Sequence, residues 1–327
     1  MELKLVAPFT SIPSIQKGLD TVEQMMLRQL EDYHPDLKTA TSHILASGGK
    51  RIRPTIILLI GSMLNAEYER LLKLATAIEL LHTATLVHDD LIDGSLLRRG
   101  IPTLNSKWSP AATVLTGDFL FASATDIASK TNSVEVMRLI ANTLMTIVNG
   151  EVDQLFTNHC ITTVEEYYRR IYSKTASLFE TSTHTAAVIS NVDSQQVEVL
   201  RKYGYELGMA FQIVDDMLDY IGDESTIGKP VGGDLRQGLV TLPMLYFMQD
   251  NPHHPAVEEL LTGQFIQDET EILQLVKEIA RSDAINRSQQ TAFEFAGRAE
   301  NYLLGFPDTP ERDALIEMTR YIIERHK

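Results

Sequence analysis

Apolar residues recur along this chain at steps of three and four almost throughout, and no segment alternates convincingly at steps of two. The pattern predicts helices and no substantial sheet. In AEYERLLKLATAIELLHTATLVHDD, residues Leu71, Leu74, Ala75, Ile78 and Leu81 draw one apolar stripe down a helix of about seven turns. A second run, TVEEYYRRIYSKTASLFETSTHTAAVIS, opens with Thr163 and Glu166 at capping-box spacing. A third, QQVEVLRKYGYELGMAFQIVDDMLDYIG, ends in aspartates as the first does. The last, TPERDALIEMTRYIIERHK, starts at a Thr-Pro pair and carries Leu315, Met318 and Ile322 on one stripe. Glycines and prolines gather between these runs, as in GGKRIRP, where a helix is expected to start at Pro54. With no low-complexity linker, the chain reads as a single all-α domain over residues 1–327 with a core of long helices.

Two of those helices end in the same way. Asp89 and Asp93 are four residues apart and share a helix face, with Asp90 about 100° round, and Gly94 closes the helix. Carboxylates at a helix C-terminus repel one another and oppose the helix dipole, so something positive has to compensate. One such cluster could be a solvated acidic end. Asp215, Asp216 and Asp219 repeat it at the same spacing. Two helices side by side would offer six carboxylates across a cleft, an all-oxygen set that suits Mg²⁺, an ion that retains waters and bridges to substrate phosphates. The ligand expected of such a site is a diphosphate.

Charge and composition narrow the choice. The formal net charge of −15 argues against a nucleic-acid partner, because that affinity rests on clustered Lys and Arg. Phosphate chemistry must then be local, and the basic residues lie where it is needed. Lys50, Arg51 and Arg53 precede or open a helix, Arg98 and Arg99 follow the first aspartate cluster, and Lys174 and Lys229 add single charges. Guanidinium forks beside carboxylate clusters suit phosphate oxygens. The lone cysteine, Cys160, excludes an intramolecular disulfide framework. The first residues lack a signal-peptide core, and the most apolar run, PTIILLIGSML, is too short to span a bilayer, so a soluble cytoplasmic protein is expected.

The motifs GGKRIRP, LLHTATLVHDDLID, RRGIPT, TGDFLFA, GEVDQ, SKTASLF, GMAFQIVDDMLDY and GKPVGGDLRQGLVTLP, in that order from about residue 40 onward, resemble the trans-isoprenyl diphosphate synthases. The resemblance implies an all-helical bundle around a deep cavity, a homodimer, and Mg²⁺-dependent condensation of isopentenyl diphosphate with an allylic diphosphate. It also implies roles. Asp89, Asp90, Asp93, Asp215, Asp216 and Asp219 would hold three Mg²⁺ on the allylic diphosphate, assisted by Arg98, Lys174 and Lys229. Lys50, Arg53, His82 and Arg99 would hold isopentenyl diphosphate. Gln212 and the backbone near Lys174 and Thr175 would face the developing carbocation. The chemistry then needs preorganised electrostatics and no nucleophilic side chain, in keeping with the absence of a Ser-His-Asp or Cys-His arrangement among the motifs.

Product length has its own candidates. A helical turn is about 5.4 Å, close to one isoprene unit, so a tail running down the helix that ends in Asp89 would first meet Thr85 and Ala84, both small. Leu81 is a candidate partial wall a turn further, with Phe119 and Phe121 on the next helix. Products longer than twenty carbons are expected, with geranylgeranyl and farnesyl diphosphate as the shorter alternatives. One departure from the family pattern is Leu239, where many relatives have a lysine. A terpene cyclase is disfavoured by the intact second aspartate cluster. A regulatory subunit of a heteromeric synthase is disfavoured because both clusters are kept.

Overall fold

In the computed structural model, residues 12–29, 34–46, 48–98, 100–156, 163–222, 231–262, 266 and 268–324 are described. Helices make up nearly all of them, as the periodicity predicts. The chain forms two compact units, each assembled from separate stretches.

The first unit comprises Met1–Asn142, Glu180–Arg201 and Leu303–Met318. Its centre is α4 (Tyr68–Ile92), packed by α1 (Pro13–Arg28), α3 (Ile52–Met63) and α6 (Pro110–Ser129). The five stripe residues of α4 are all buried, but so are Leu72, Thr76, Ala77, Glu79 and Leu80 between them. A helix with neighbours on several sides needs no clean polar face, so the stripe marks only part of the burial. Helix α3 starts at Ile52, two residues before the expected Pro54, and its N-cap Arg51 adopts a left-handed backbone with φ 48°. That geometry is uncommon for a residue with a Cβ. Arg51 is held by Glu79 at 2.8 Å and Glu23 at 3.2 Å. Burial works against its charge, but the two glutamates outweigh this and raise its pKa.

The second unit comprises Thr143–Phe179, Lys202–Tyr302 and Thr319–Lys327. Its core gathers Tyr167, Ile171, Met209, Ile213, Met217 and Tyr220 with apolar residues of the later helices. Helix α8 (Val164–Ile171) begins with the predicted capping box: the Glu166 N–H donates to Thr163 Oγ1 at 3.2 Å, and the Thr163 N–H donates to Glu166 Oε2 at 2.8 Å. The second periodic run is not one helix. A π turn over Tyr172–Ala176 separates α8 from α9 (Ser177–Ile189). The only strands among the described residues are the two-residue pair Leu97–Arg98 and Ile101–Pro102, with Leu97 opposite Pro102 and Arg98 opposite Ile101.

Candidate active site

The first aspartate cluster sits where α4 stops. Gly94 takes φ 62°, its N–H donates to Leu91 O at 3.3 Å, and the Ser95 N–H donates to Asp90 O at 2.9 Å. This six-to-one and five-to-two pairing is the Schellman end that a glycine at this position favours. The chain then turns into the short hairpin, and Arg98 returns to Asp90. Its Nε donates to both carboxylate oxygens at 2.9 Å, and Nη2 lies 2.8 Å from Oδ1. Asp90 is only 7% exposed. Asp89 is partly buried and Asp93 exposed. The compensating charge expected at this helix end is therefore Arg98, placed there by the hairpin.

Helix α4 is fixed to α6 at the same end. His88 Nε2 lies 3.2 Å from Val114 O and 3.7 Å from Asp118, and its ring is 5.4 Å from that of Phe121. Gly117 makes this approach possible, since a Cβ there would fall 2.1 Å from His88 Nε2. Phe121, a candidate wall, is thus engaged with His88. Ala84 and Leu81 are buried, and Thr85 and Phe119 are partly buried. Of the other basic groups, Lys50 is exposed and Arg53 buried, both before α4, and His82, within α4, is partly buried. Lys50 precedes the cap of α3 and Arg53 lies in its first turn, where N–H groups lack helical acceptors and the dipole favours an anion. Arg99 lies outside the described residues.

The second cluster lies near the end of α10 (Ser194–Ile221). Asp216 accepts from the Tyr167 hydroxyl at 2.8 Å on Oδ2 and from Gln212 Nε2 at 2.7 Å on Oδ1. Gln212 Oε1 in turn accepts from the Thr175 hydroxyl at 2.5 Å. Burial pushes the Asp216 carboxyl up to about 6, against the pull of its bonds to Gln212 and Tyr167. Burial, reinforced by the charge of Asp216, raises Tyr167 well above its ordinary value and keeps it a donor. Asp219 Oδ2 accepts the Asp234 N–H at 2.9 Å, and its carbonyl accepts the Gly232 N–H at 2.7 Å. Asp215 is partly buried. Lys174, on the π turn, pairs with Glu151 at 3.2 Å. Leu239 donates its N–H to Asp234 O at 2.8 Å and so helps shape the GGDLRQG turn. Lys229 and Cys160 lie outside the described residues.

The π turn and α10 come very close. A Cβ at Gly208 would lie 2.6 Å from Ala176 Cα, so only glycine lets α10 approach near enough for Thr175 to reach Gln212. Sequence reasoning missed Tyr167 and Glu151. Tyr167 stands seven residues before Lys174, two helical turns away, and that spacing was the available signal.

The donor set fits a hard divalent cation. Each cluster supplies only carboxylates, and both oxygens of Asp216 keep lone pairs beyond the hydrogen bonds they accept. Among the described residues no three such side chains converge tightly enough to hold an ion alone.

The polyprenyl synthetase family matches residues 34–279. The chain belongs to that family. As a family member it is a prenyltransferase, and the all-α isoprenoid synthase fold expected from the sequence is the one found. The heptaprenyl diphosphate synthase component 2 of Geobacillus stearothermophilus is 35% identical over 326 residues, covering 99% of each chain. The octaprenyl diphosphate synthase of Escherichia coli is 36% identical, covering 94% of this chain and 95% of that one. Among solved structures, a polyprenyl synthase from Caulobacter crescentus complexed with calcium and isoprenyl diphosphate aligns with TM-score 0.91 at 34% identity, covering 96% of each chain.

Proposed function

We propose that this polyprenyl synthetase is a long-chain trans-polyprenyl diphosphate synthase, adding isopentenyl units head-to-tail to an allylic diphosphate to give products longer than twenty carbons. The observation that carries the reading is the pair of carboxylate clusters, each with its middle aspartate held in place by the protein, in a chain whose near full-length relatives are heptaprenyl and octaprenyl diphosphate synthases. The Caulobacter complex, with calcium and an isoprenyl diphosphate, supports a divalent metal and this substrate class.

Asp89, Asp90, Asp93, Asp215, Asp216 and Asp219 would hold Mg²⁺, three ions with the diphosphate bound. When bound, the ions neutralise the leaving diphosphate and so favour ionisation of the allylic substrate. Lys50, Arg53, His82 and Arg99 hold isopentenyl diphosphate, while Arg98, Lys174 and Lys229 serve the allylic diphosphate. Gln212 and Thr175 supply oriented oxygen dipoles where positive charge develops. The two units act as one catalytic domain, since the family match runs through both. The protein works as a soluble homodimer in the cytoplasm; among the described residues no helix is long and apolar enough to cross a membrane. The name "component 2" of two relatives favours a second reading, in which the chain works as one component of a heteromer.

Incubating the purified protein with Mg²⁺, isopentenyl diphosphate and each of three allylic primers, then separating the dephosphorylated products, tests the activity and the product length. Products beyond twenty carbons are expected, since each added methylene-sized group buried gains roughly 0.8 kcal/mol until a wall intervenes. Termination at fifteen carbons would overturn the length assignment, and activity only with an added partner chain would favour the heteromer. Ala84→Phe should shorten the products while leaving the first condensation intact. An unchanged distribution would remove Ala84 from the tail path.

A further inference from the structure

The hydrogen-bonded chain Thr175, Gln212, Asp216 has a fixed end, and that end is Tyr167. Tyr167 sits in the first turns of α8, where its N–H donates to Thr163 O at 2.9 Å and the capping box holds the helix start. It is 0% exposed. Its ring lies in the core of the second unit beside Tyr168, 5.7 Å between centroids. The hydroxyl points at Asp216 Oδ2, 2.8 Å away. Filling that space would require only a phenyl ring. A buried hydroxyl is desolvated at a cost unless it makes a hydrogen bond, and here the bond goes to a member of the aspartate cluster.

The direction of each bond follows from the partners. A carboxylate accepts only, so the amide end of Gln212 facing Asp216 must be its NH₂, and the carbonyl oxygen is left for the Thr175 hydroxyl. Which way the carboxamide lies therefore depends on where Asp216 is. Asp216 in turn is tied at one oxygen to Gln212 and at the other to Tyr167. Without the tyrosine hydroxyl, rotation of the Asp216 carboxylate would be restrained from one side only.

We propose that Tyr167 is a positioning residue for the condensation: by anchoring Asp216 it fixes the orientation of the Gln212 carboxamide. The inference rests on the proposed function and adds a residue that touches neither substrate nor metal. Asp216 keeps its carboxylate and its bond to Gln212 when the tyrosine hydroxyl is lost, and what loses its fixed orientation is the carboxamide that faces the developing positive charge, so turnover should fall much more than ground-state diphosphate binding.

The test uses the full-length protein with Mg²⁺, isopentenyl diphosphate and farnesyl diphosphate. Tyr167→Phe should lower kcat by about 10–100-fold, the usual scale for outer partners that orient groups around a metal site, with both diphosphate KM values within about threefold of the wild type. Gln212→Ala should lower kcat too, and the double variant should be no worse than the poorer single one, because both break the same chain. A kcat for Tyr167→Phe within twofold of the wild type, or single losses that multiply in the double variant, would overturn the proposal. Should Tyr167→Phe fail to fold, 3-fluorotyrosine at position 167 keeps ring and hydroxyl and alters only the donor strength. A change in kcat at constant KM then supports the role, and an unchanged kcat overturns it. Wild-type protein that forms no condensation product would overturn the proposed function itself, and this inference with it.

Discussion

At the end of α4 the middle aspartate, Asp90, is clasped by a guanidinium only eight residues further along the chain, whereas its counterpart in α10, Asp216, is held by two neutral donors, one of them 49 residues away. The spacing of the carboxylates is the same in both. What differs is the source of the restraint. Arg98 cancels the charge of Asp90 and reaches it through a tight local turn, while Tyr167 and Gln212 leave the charge of Asp216 in place and fix only its orientation. A cluster held by a cation is tuned by whatever competes for that cation, a diphosphate included. A cluster held by neutral donors depends on the packing that delivers them. Equal sequence motifs can thus carry unequal physical jobs.

The largest effects should come from removing the function that the clusters share. Excess chelator should abolish turnover, and Asp90→Ala or Asp216→Ala should each cost roughly 10²–10³-fold in kcat, the scale of losing one preorganised electrostatic contact, with the helical circular dichroism unchanged. Full activity in chelator would contradict the metal assignment for both clusters.

Packing comes next and should separate the two regions. Gly208→Ala sets a methyl 2.6 Å from backbone at Ala176, which cannot swing aside, whereas Gly117→Ala meets the tip of His88, a side chain that can. Overpacking of this kind costs about 1–3 kcal/mol, so Gly208→Ala should fall at the upper end and Gly117→Ala at the lower in urea denaturation. The reverse order would mean that the π turn yields more readily than the imidazole.

Smaller shifts should divide the basic residues. Loss of one charge-assisted phosphate contact is worth about tenfold in KM. Arg53→Ala should raise KM for isopentenyl diphosphate and Lys229→Ala that for the allylic substrate, and equal effects on both substrates would dissolve the division. The smallest effect belongs to Arg98→Ala measured without metal. It leaves the buried Asp90 without its fork, yet Arg98 is itself partly exposed, so a loss of about 1 kcal/mol in thermal or urea unfolding is expected after allowing for solvent screening. No loss would show that water serves Asp90 as well as the guanidinium does.

Much of this site was legible in the chain because its signals are local. The capping box at Thr163 and Glu166, the glycine end at Gly94 and both aspartate spacings lie within a few residues each, and the structure contains them as read. Helix α3 starts two residues before Pro54, the residue that local proline preference points to. The N-cap is in fact Arg51, whose left-handed backbone is held by Glu23 and Glu79, 28 residues away on either side. The π turn was invisible for a similar reason. Tyr172–Ala176 is apolar-periodic like its flanks, and its widened turn becomes apparent only with Gly208 packed against Ala176.

The sequence by itself determined the helical class, the family, the carboxylates and the charges available to them, since periodicity, spacing and residue type are properties of short stretches. Tertiary structure alone decided which groups those carboxylates hold. Of the three basic residues in GGKRIRP, it gave Arg51 to Glu23 and Glu79 and buried Arg53, and from a run of look-alike aromatics it chose Tyr167 for Asp216. Such choices depend on distances of a few ångströms between segments far apart in the chain, which burial and close packing set and no local pattern encodes.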